Sequence, residues 1–188
     1  SEGLGSMGYG FPSLLGAAFT QNQELFLFES DGSAMMNLQE LQTLKTNKIK
    51  AKIFIINNSG YVSIKNTQKN YFGGRFLGVD KNSGIETSSI ADLAKALKIK
   101  SYKIKNNHDF NQKVRKTLRN DEFIIYEVFV DDDEKLLPKC SAFNLGQGKM
   151  ISAPLEDMSP LLDINDLQKV TTNIDDLSLQ IRNNEFNN

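Results

Sequence analysis

"ELFLFESDGSAMMNLQELQTL" (Glu24–Leu44) and "AKIFIINNSGYVSI" (Ala51–Ile64) decide how this sequence is read. Each runs from an apolar stretch into a short polar turn that contains a glycine. "ELFLFE", Glu24–Glu29, reads as a short strand. Asp31, Gly32 and Ser33 follow it, and helical spacing then starts near Ala34 and continues to Asn47 through Met35, Leu38, Leu41 and Leu44. "AKIFIIN", Ala51–Asn57, is apolar almost throughout, as a strand buried on both faces is. Asn57, Asn58 and Gly60 close it with amides where the first turn has an acid. In a parallel sheet, ligands sit beyond the carboxyl ends of the strands. If these two strands are neighbours, Asp31 and Asn58 face one place.

The rest of the chain fits that frame. Tyr9–Thr20, "YGFPSLLGAAFT", reads as a helix packed closely through Gly16, Ala17 and Ala18. "SIADLAKAL" (Ser89–Leu97) reads as a helix capped by Ser88 or Ser89. "SYKI" is a strand, "DFNQKVRKTLRN" a helix, and "EFIIYEVFV" a strand ending at Val130. Strands alternating with helices predict an α/β fold, a parallel sheet with helices on both faces and right-handed crossovers. Residues 66–87 hold four glycines and no clear period, which predicts a long functional or mobile loop. From Asp131 onward the periodicity is lost. The expected organisation is a ligand-binding domain over 1–130 and a tail over 131–188 that wraps the surface. "LLDINDLQKV" adds one helix to that tail, and its end, "NNEFNN", is disordered.

Composition excludes several function classes. The chain has 188 residues with 22 Lys+Arg against 23 Asp+Glu. That balance gives no electrostatic reason to expect nucleic acid as a partner. No apolar run approaches membrane-spanning length, and the amino terminus lacks a secretory pattern. One cysteine, Cys140, cannot form an internal disulfide, which fits a reducing, cytoplasmic setting. The one histidine, His108, lies in the polar stretch "KNNHDFNQ" and reads as a surface residue. "DDDE" (Asp131–Glu134) reads as a solvated face.

The two turns together suggest a cation. Gly32 lets backbone amides approach an anion, and Ser33 adds a hydroxyl. An aspartate at that spot repels a phosphate unless a cation lies between them. Magnesium takes oxygen ligands and bridges to phosphates. Asn58 offers a neutral amide oxygen and Gly60 a backbone carbonyl. D-G-S and N-S-G are also ordinary turn sequences, and Asp31 alone could be a helix cap. The pair, with 26 residues between Asp31 and Asn58, is what raises the reading above that.

This pattern resembles the thiamine diphosphate signature, G-D-G followed by N-N. Upstream, "GLGSMGYGFPSLLGAA" (Gly3–Ala18) is similar to the segment before that signature in acetohydroxyacid synthase-like enzymes, as is "SDGSAMMNLQELQTL". The resemblance extends to about Val130. It implies the thiamine diphosphate-binding fold, with the first strand and helix of that fold missing from this chain. It implies Mg²⁺ held by Asp31, Asn58 and the Gly60 carbonyl. Gly32, Ser33 and the Tyr61 amide would contact the phosphate oxygens. Gly5, Ser6, Met7 and Gly8 would form the turn facing the aminopyrimidine, with the Met7 carbonyl accepting from its amino group. Val62 or Ile64 would supply the bulk behind the bent cofactor.

The resemblance also implies what the chain lacks. The glutamate that activates the cofactor belongs to a pyrimidine-binding domain of another subunit. No catalytic residue is therefore expected here, and the chain alone is expected to be silent. The implied whole is a homo-oligomer acting on a 2-oxo acid as a carboligase or decarboxylase, of which this chain reads as the carboxyl-terminal part. A split enzyme with two chains is the alternative. Ser30 replaces the first glycine of the signature. Ser63 and Thr67 stand where true acetohydroxyacid synthases carry a methionine and a tryptophan, so pyruvate self-condensation and flavin do not follow. Arg75, in "YFGGRF", is a candidate for an acidic substrate. The competing class is a non-catalytic doubly wound domain for another nucleotide or phosphate. That class lacks its G-x-G-x-x-G or G-K-[ST] loop here.

Overall fold

The apolar run Ala51–Asn57 becomes β2, an inner strand of a four-stranded parallel sheet. The computed structural model describes residues 4–20, 22–132, 134, 137–140, 142–144, 150–171, 178, 179 and 182. The Gly3 end of the upstream motif, Asp133 of the acidic run and the final "NNEFNN" lie outside the described residues. The chain divides into two compact units, 1–133 and 134–188.

In the first unit the sheet is formed by β1 (Leu25–Ser30), β2, β3 (Lys100–Ile104) and β4 (Ile124–Phe129), in the order β1-β2-β4-β3. β1 pairs directly with β2, with Ser30 opposite Ile56, so the two turns emerge side by side. On one face Ile53, Ile55 and Ile125 pack against Phe11 and Leu14 of α1 (Gly10–Thr20), and with residues of later helices. On the other face Phe54, Ile124 and Tyr126 pack with Val114. Alternate side chains of β2 thus enter opposite cores, which is why its sequence shows no polar face. Each isoleucine so buried contributes about 1.5–3 kcal/mol. One row of rings crosses the whole sheet. Phe28 stacks on Phe54 at 5.0 Å, Phe54 on Tyr126 at 4.9 Å, and Tyr126 on Tyr102 at 6.0 Å. These are register partners, so the rings also fix the pairing.

The helices differ from expectation in detail. The expected single helix from Ala34 begins at Asp31 and is broken. α2 (Asp31–Ala34) passes into a 3₁₀ turn (Met35–Asn37), and α3 (Glu40–Thr46) follows. The tighter turn places Asn37 where its side chain donates to the Gly8 carbonyl at 2.6 Å. The expected loop over 66–87 is helical at its start, because α4 covers Val62–Tyr71. α4 has no buried residue, so it needs no apolar stripe and left none to read. The remainder, up to α5 (Ile90–Ala96), contains a 3₁₀ turn, Lys81–Ser83, closed by a capping box from Asp80. Ser89 caps α5, accepting from the Asp92 amide. The last helical segment before β4 runs through α6 (Asn107–Asp109), a π-helical stretch (Phe110–Val114) and α7 (Arg115–Thr117).

Close packing of α1 is not at Gly16, which is exposed and where an added Cβ would meet nothing within 4 Å. It is at Gly10, where a Cβ would lie 1.8 Å from Glu29 Oε2.

The second unit contains an antiparallel pair, β5 (Ala142–Asn144) and β6 (Met150–Ser152), and α8 (Ile164–Val170). Arg182 and Asp157 form a buried ion pair within it.

Candidate functional site

Three turns meet beyond the carboxyl ends of β1 and β2. The first is Ser30–Ser33. Ser30 has φ −87°, a value any residue adopts, so serine costs nothing where the signature has glycine. Asp31 is the first residue of α2 and fully buried. Its carboxylate does not cap its own helix. Oδ2 accepts from the Gly60 amide at 3.0 Å and from the Thr87 hydroxyl at 2.7 Å, and Oδ1 from the Asn58 amide at 3.4 Å. The acid of the first turn therefore organises the second.

The second turn, Asn57–Tyr61, reverses sharply. Ser59 has φ +65° and Gly60 φ +145°. Asn58 bends inward. With its amide nitrogen facing in, it donates to Asp31 Oδ1 at 3.2 Å and to the Gly60 carbonyl at 3.1 Å. With its oxygen facing in, three oxygens confront one another, an arrangement that a cation would relieve. The donor set, one carboxylate, one amide and one carbonyl, suits Mg²⁺. Gly32 closes the cradle: a Cβ there would meet the Tyr61 ring at 2.6 Å and the Gly60 carbonyl at 3.2 Å.

The third turn, Gly5–Gly8, docks on the first. The Gly8 amide donates to Ser33 Oγ at 2.8 Å, leaving the hydroxyl proton free to point elsewhere. Gly8 is buried, whereas Gly5, Ser6 and Met7 are exposed. Asp31, Gly32, Ser33, Asn58 and Gly60 thus adjoin one another, and the upstream turn joins them through Gly8. The Tyr61 amide donates to the Val79 carbonyl at 2.8 Å and is already paired. Val62 is half-buried at the start of α4, and Ile64 is 44% exposed. Ser63 and Thr67 lie one turn apart on the same helix. His108, Arg75 and Cys140 are exposed. No cluster of three His, Cys, Asp or Glu side chains exists among the described residues.

Sequence reasoning missed Thr87, Asn37 and the clasp at Lys65. Lys65 Nζ lies 3.1 Å from Asp80 and 2.5 Å from Asp132, and over the Phe76 ring at 5.8 Å. Asp132 is thus a partner of Lys65 and not merely part of a solvated acidic run. The hydrogen bond from Lys65 holds the Asp132 carboxyl below its ordinary range. Asp80 is lowered too, first by the Ser83 hydroxyl and then by Lys65. Both folded values are depressed, so their contribution is complete above the unfolded value of 3.8 and fades as pH falls through the lower folded values. Lys65→Met is expected to lower hydrogen-exchange protection of the Gly78 and Ser83 amides about tenfold at neutral pH. Wild type is expected to lose the same protection only below about pH 3.8. Unchanged protection in the variant would show that the clasp does not hold this segment.

The family described as "Thiamine pyrophosphate enzyme, C-terminal TPP binding domain" matches residues 1–128. The chain belongs to that family. Among relatives of this C-terminal TPP-binding domain is the acetolactate synthase large subunit of Porphyra purpurea. It is 30% identical over 139 residues, which are 73% of this chain and 23% of the relative. The acetolactate synthase isozyme 1 large subunit of Escherichia coli K12 is 26% identical over 139 residues, covering 73% and 24%. The chain therefore spans about a quarter of the length of these relatives. The fold is similar to that of the thiamine diphosphate-dependent 4-hydroxybenzoylformate decarboxylase of Rhodococcus jostii RHA1. The TM-score is 0.60 at 24% identity, covering 69% of this chain and 24% of that one. The parallel sheet with helices on both faces is that of the TPP-binding domain. No helix among the described residues is long and apolar enough to cross a membrane.

Proposed function

We propose that this domain binds Mg²⁺ and thiamine diphosphate as the cofactor-binding part of an acetolactate synthase-like carboligase or decarboxylase acting on a 2-oxo acid. The observation that carries the proposal is the convergence of the Asp31 carboxylate, the Asn58 side chain and the Gly60 carbonyl. In this reading Asn58 turns its oxygen inward, and the cation replaces the two hydrogen bonds of its amide nitrogen. Gly32 and Ser33 face the diphosphate oxygens, and the Ser33 hydroxyl donates while still accepting from Gly8. The Tyr61 amide contributes only if it leaves Val79. The Gly5–Gly8 turn faces the aminopyrimidine, with the Met7 carbonyl as acceptor. Bound thiamine diphosphate supplies a nucleophilic carbon for addition to a 2-oxo carbonyl. The group that activates it belongs to a pyrimidine-binding domain on another subunit, and the working enzyme is a homo-oligomer in a reducing, cytoplasmic setting.

Calorimetry tests the binding reading. Thiamine diphosphate is expected to bind in Mg²⁺ and not in EDTA, and more tightly than ATP, NAD⁺ or inorganic pyrophosphate. Tighter binding of a nucleotide would favour the competing reading of a general phosphate-binding domain.

A further inference from the structure

The cation reading leaves one buried acid unexplained. Glu127 lies on the inner strand β4 and is fully buried. No lysine or arginine forms an ion pair with it among the described residues. Its carboxylate is met by four donors instead. Oε1 accepts from Asn57 Nδ2 at 2.8 Å and the Ile90 amide at 3.1 Å. Oε2 accepts from Ser89 Oγ at 2.5 Å and the Ala91 amide at 3.2 Å. Burying a carboxylate without a counter-charge is costly unless its hydrogen bonds are complete. An apolar residue would pack here without that cost, so the acid is explained by what it holds.

It holds two walls of the same site. Through Asn57 it holds the second turn, because Asn57 Oδ1 accepts from the Ser59 amide at 2.9 Å. That bond fixes the left-handed Ser59, and with it the inward directions of Asn58 and the Gly60 carbonyl. Through Ser89, Ile90 and Ala91 it holds the start of α5. Two residues before Ser89, Thr87 donates to Asp31. The two asparagines of the signature therefore have different tasks: Asn58 faces the cation site, and Asn57 faces away from it toward Glu127.

Building on the proposed Mg²⁺ site, we infer that Glu127 is a positioning residue for it, acting through Asn57 on Asn58 and Gly60, and through the start of α5 on Thr87. Exchanging the partners separates this role from a purely structural one. Glu127→Gln combined with Asn57→Asp restores the bond between positions 57 and 127 and gives up only the acceptor of the Ile90 amide, which shares Oε1 with Asn57. The new amide at position 127 donates to the new carboxylate at position 57. That carboxylate still accepts from the Ser59 amide, and the remaining amide oxygen at 127 accepts from Ser89 Oγ and the Ala91 amide.

The test uses the full ¹⁵N-labelled chain, titrated with thiamine diphosphate in Mg²⁺ and followed at the Asn58 side-chain and Gly60 backbone amides, with melting recorded in parallel. Glu127→Gln alone is expected to weaken binding at least tenfold, at temperatures where the variant is folded. Asn57→Ala, which leaves the α5 bonds in place, is expected to do the same, and this variant decides the matter if Glu127→Gln does not fold. The exchange variant is expected to bind more tightly than Glu127→Gln alone, because it restores the hold on the second turn although the Ile90 amide stays unpaired. If Glu127→Gln and Asn57→Ala bind like wild type while Asp31→Ala does not, Glu127 is structural only and the inference is overturned. If Asp31→Ala also binds like wild type, the cation reading itself has failed, and the inference goes with it.

Discussion

Asp31→Ala is expected to weaken Mg²⁺-dependent thiamine diphosphate binding by at least a hundredfold, about 2.7 kcal/mol. Two losses combine. The first is electrostatic: Asp31 is the one carboxylate among the three converging oxygens, and neither of the other two carries a charge to balance a divalent ion. The second is structural. Asp31 is fully buried and accepts from Gly60, Asn58 and Thr87. Leaving a buried N–H unpaired costs about 1–3 kcal/mol, so the second turn loosens even without a metal. Asp31→Asn separates the two. It keeps the shape and one acceptor oxygen but removes the charge, so its melting point should lie between those of wild type and Asp31→Ala while binding is still lost. Asn58→Ala removes a neutral ligand and is expected to cost about tenfold, roughly 1.4 kcal/mol. Calorimetry with Mg²⁺ and with EDTA gives both comparisons. An Asp31→Ala variant that binds with wild-type affinity would place the cation elsewhere.

The sheet was legible because its inner strands are buried on both faces. Ile53, Phe54 and Ile55 form an uninterrupted apolar run, as a strand covered on both faces does. The meeting of the two turns was legible because Asp31 and Asn58 follow strands that are neighbours, a relation the alternation of strands and helices implies without displaying. What could not be read has a common cause. α4 buries nothing, so it shows no periodicity. The break at Met35–Asn37 is set by a tertiary bond from Asn37 to Gly8, 29 positions away. Glu127 reads as an ordinary strand residue, because its partners at 57 and 89–91 come from other elements. The Tyr61 amide looks available until Val79, a residue of the intervening segment, is seen to accept from it. Local pattern reports local structure, and long-range hydrogen bonds leave no trace in it.

Gly60→Ala is expected to be the most damaging single methyl group in the domain. Gly60 has φ +145°, where an L side chain is strained, at about 1–3 kcal/mol. Its Cβ would also lie 2.2 Å from the Val79 carbonyl oxygen. That atom is backbone and cannot rotate aside. Moving it breaks the bond from the Tyr61 amide to Val79, worth about 1 kcal/mol. A total of about 2–4 kcal/mol is a large share of the stability of an ordinary domain, and at this chain length it lowers the melting point by roughly 10 °C. Binding should fall as well, because the Gly60 carbonyl is one of the three converging oxygens. Two other glycines calibrate the result. Gly32→Ala meets a tyrosine ring at 2.6 Å, and a ring at the end of a side chain can move, so stability should fall less than binding. Gly16→Ala meets nothing within 4 Å on α1 and should raise helix stability by up to about 1 kcal/mol. The expected order of melting points is therefore Gly16→Ala above wild type, Gly32→Ala below it, and Gly60→Ala lowest. A Gly60→Ala protein that melts close to wild type would mean that Val79 does not press on this turn, and that the domain holds Asn57–Tyr61 in some other geometry.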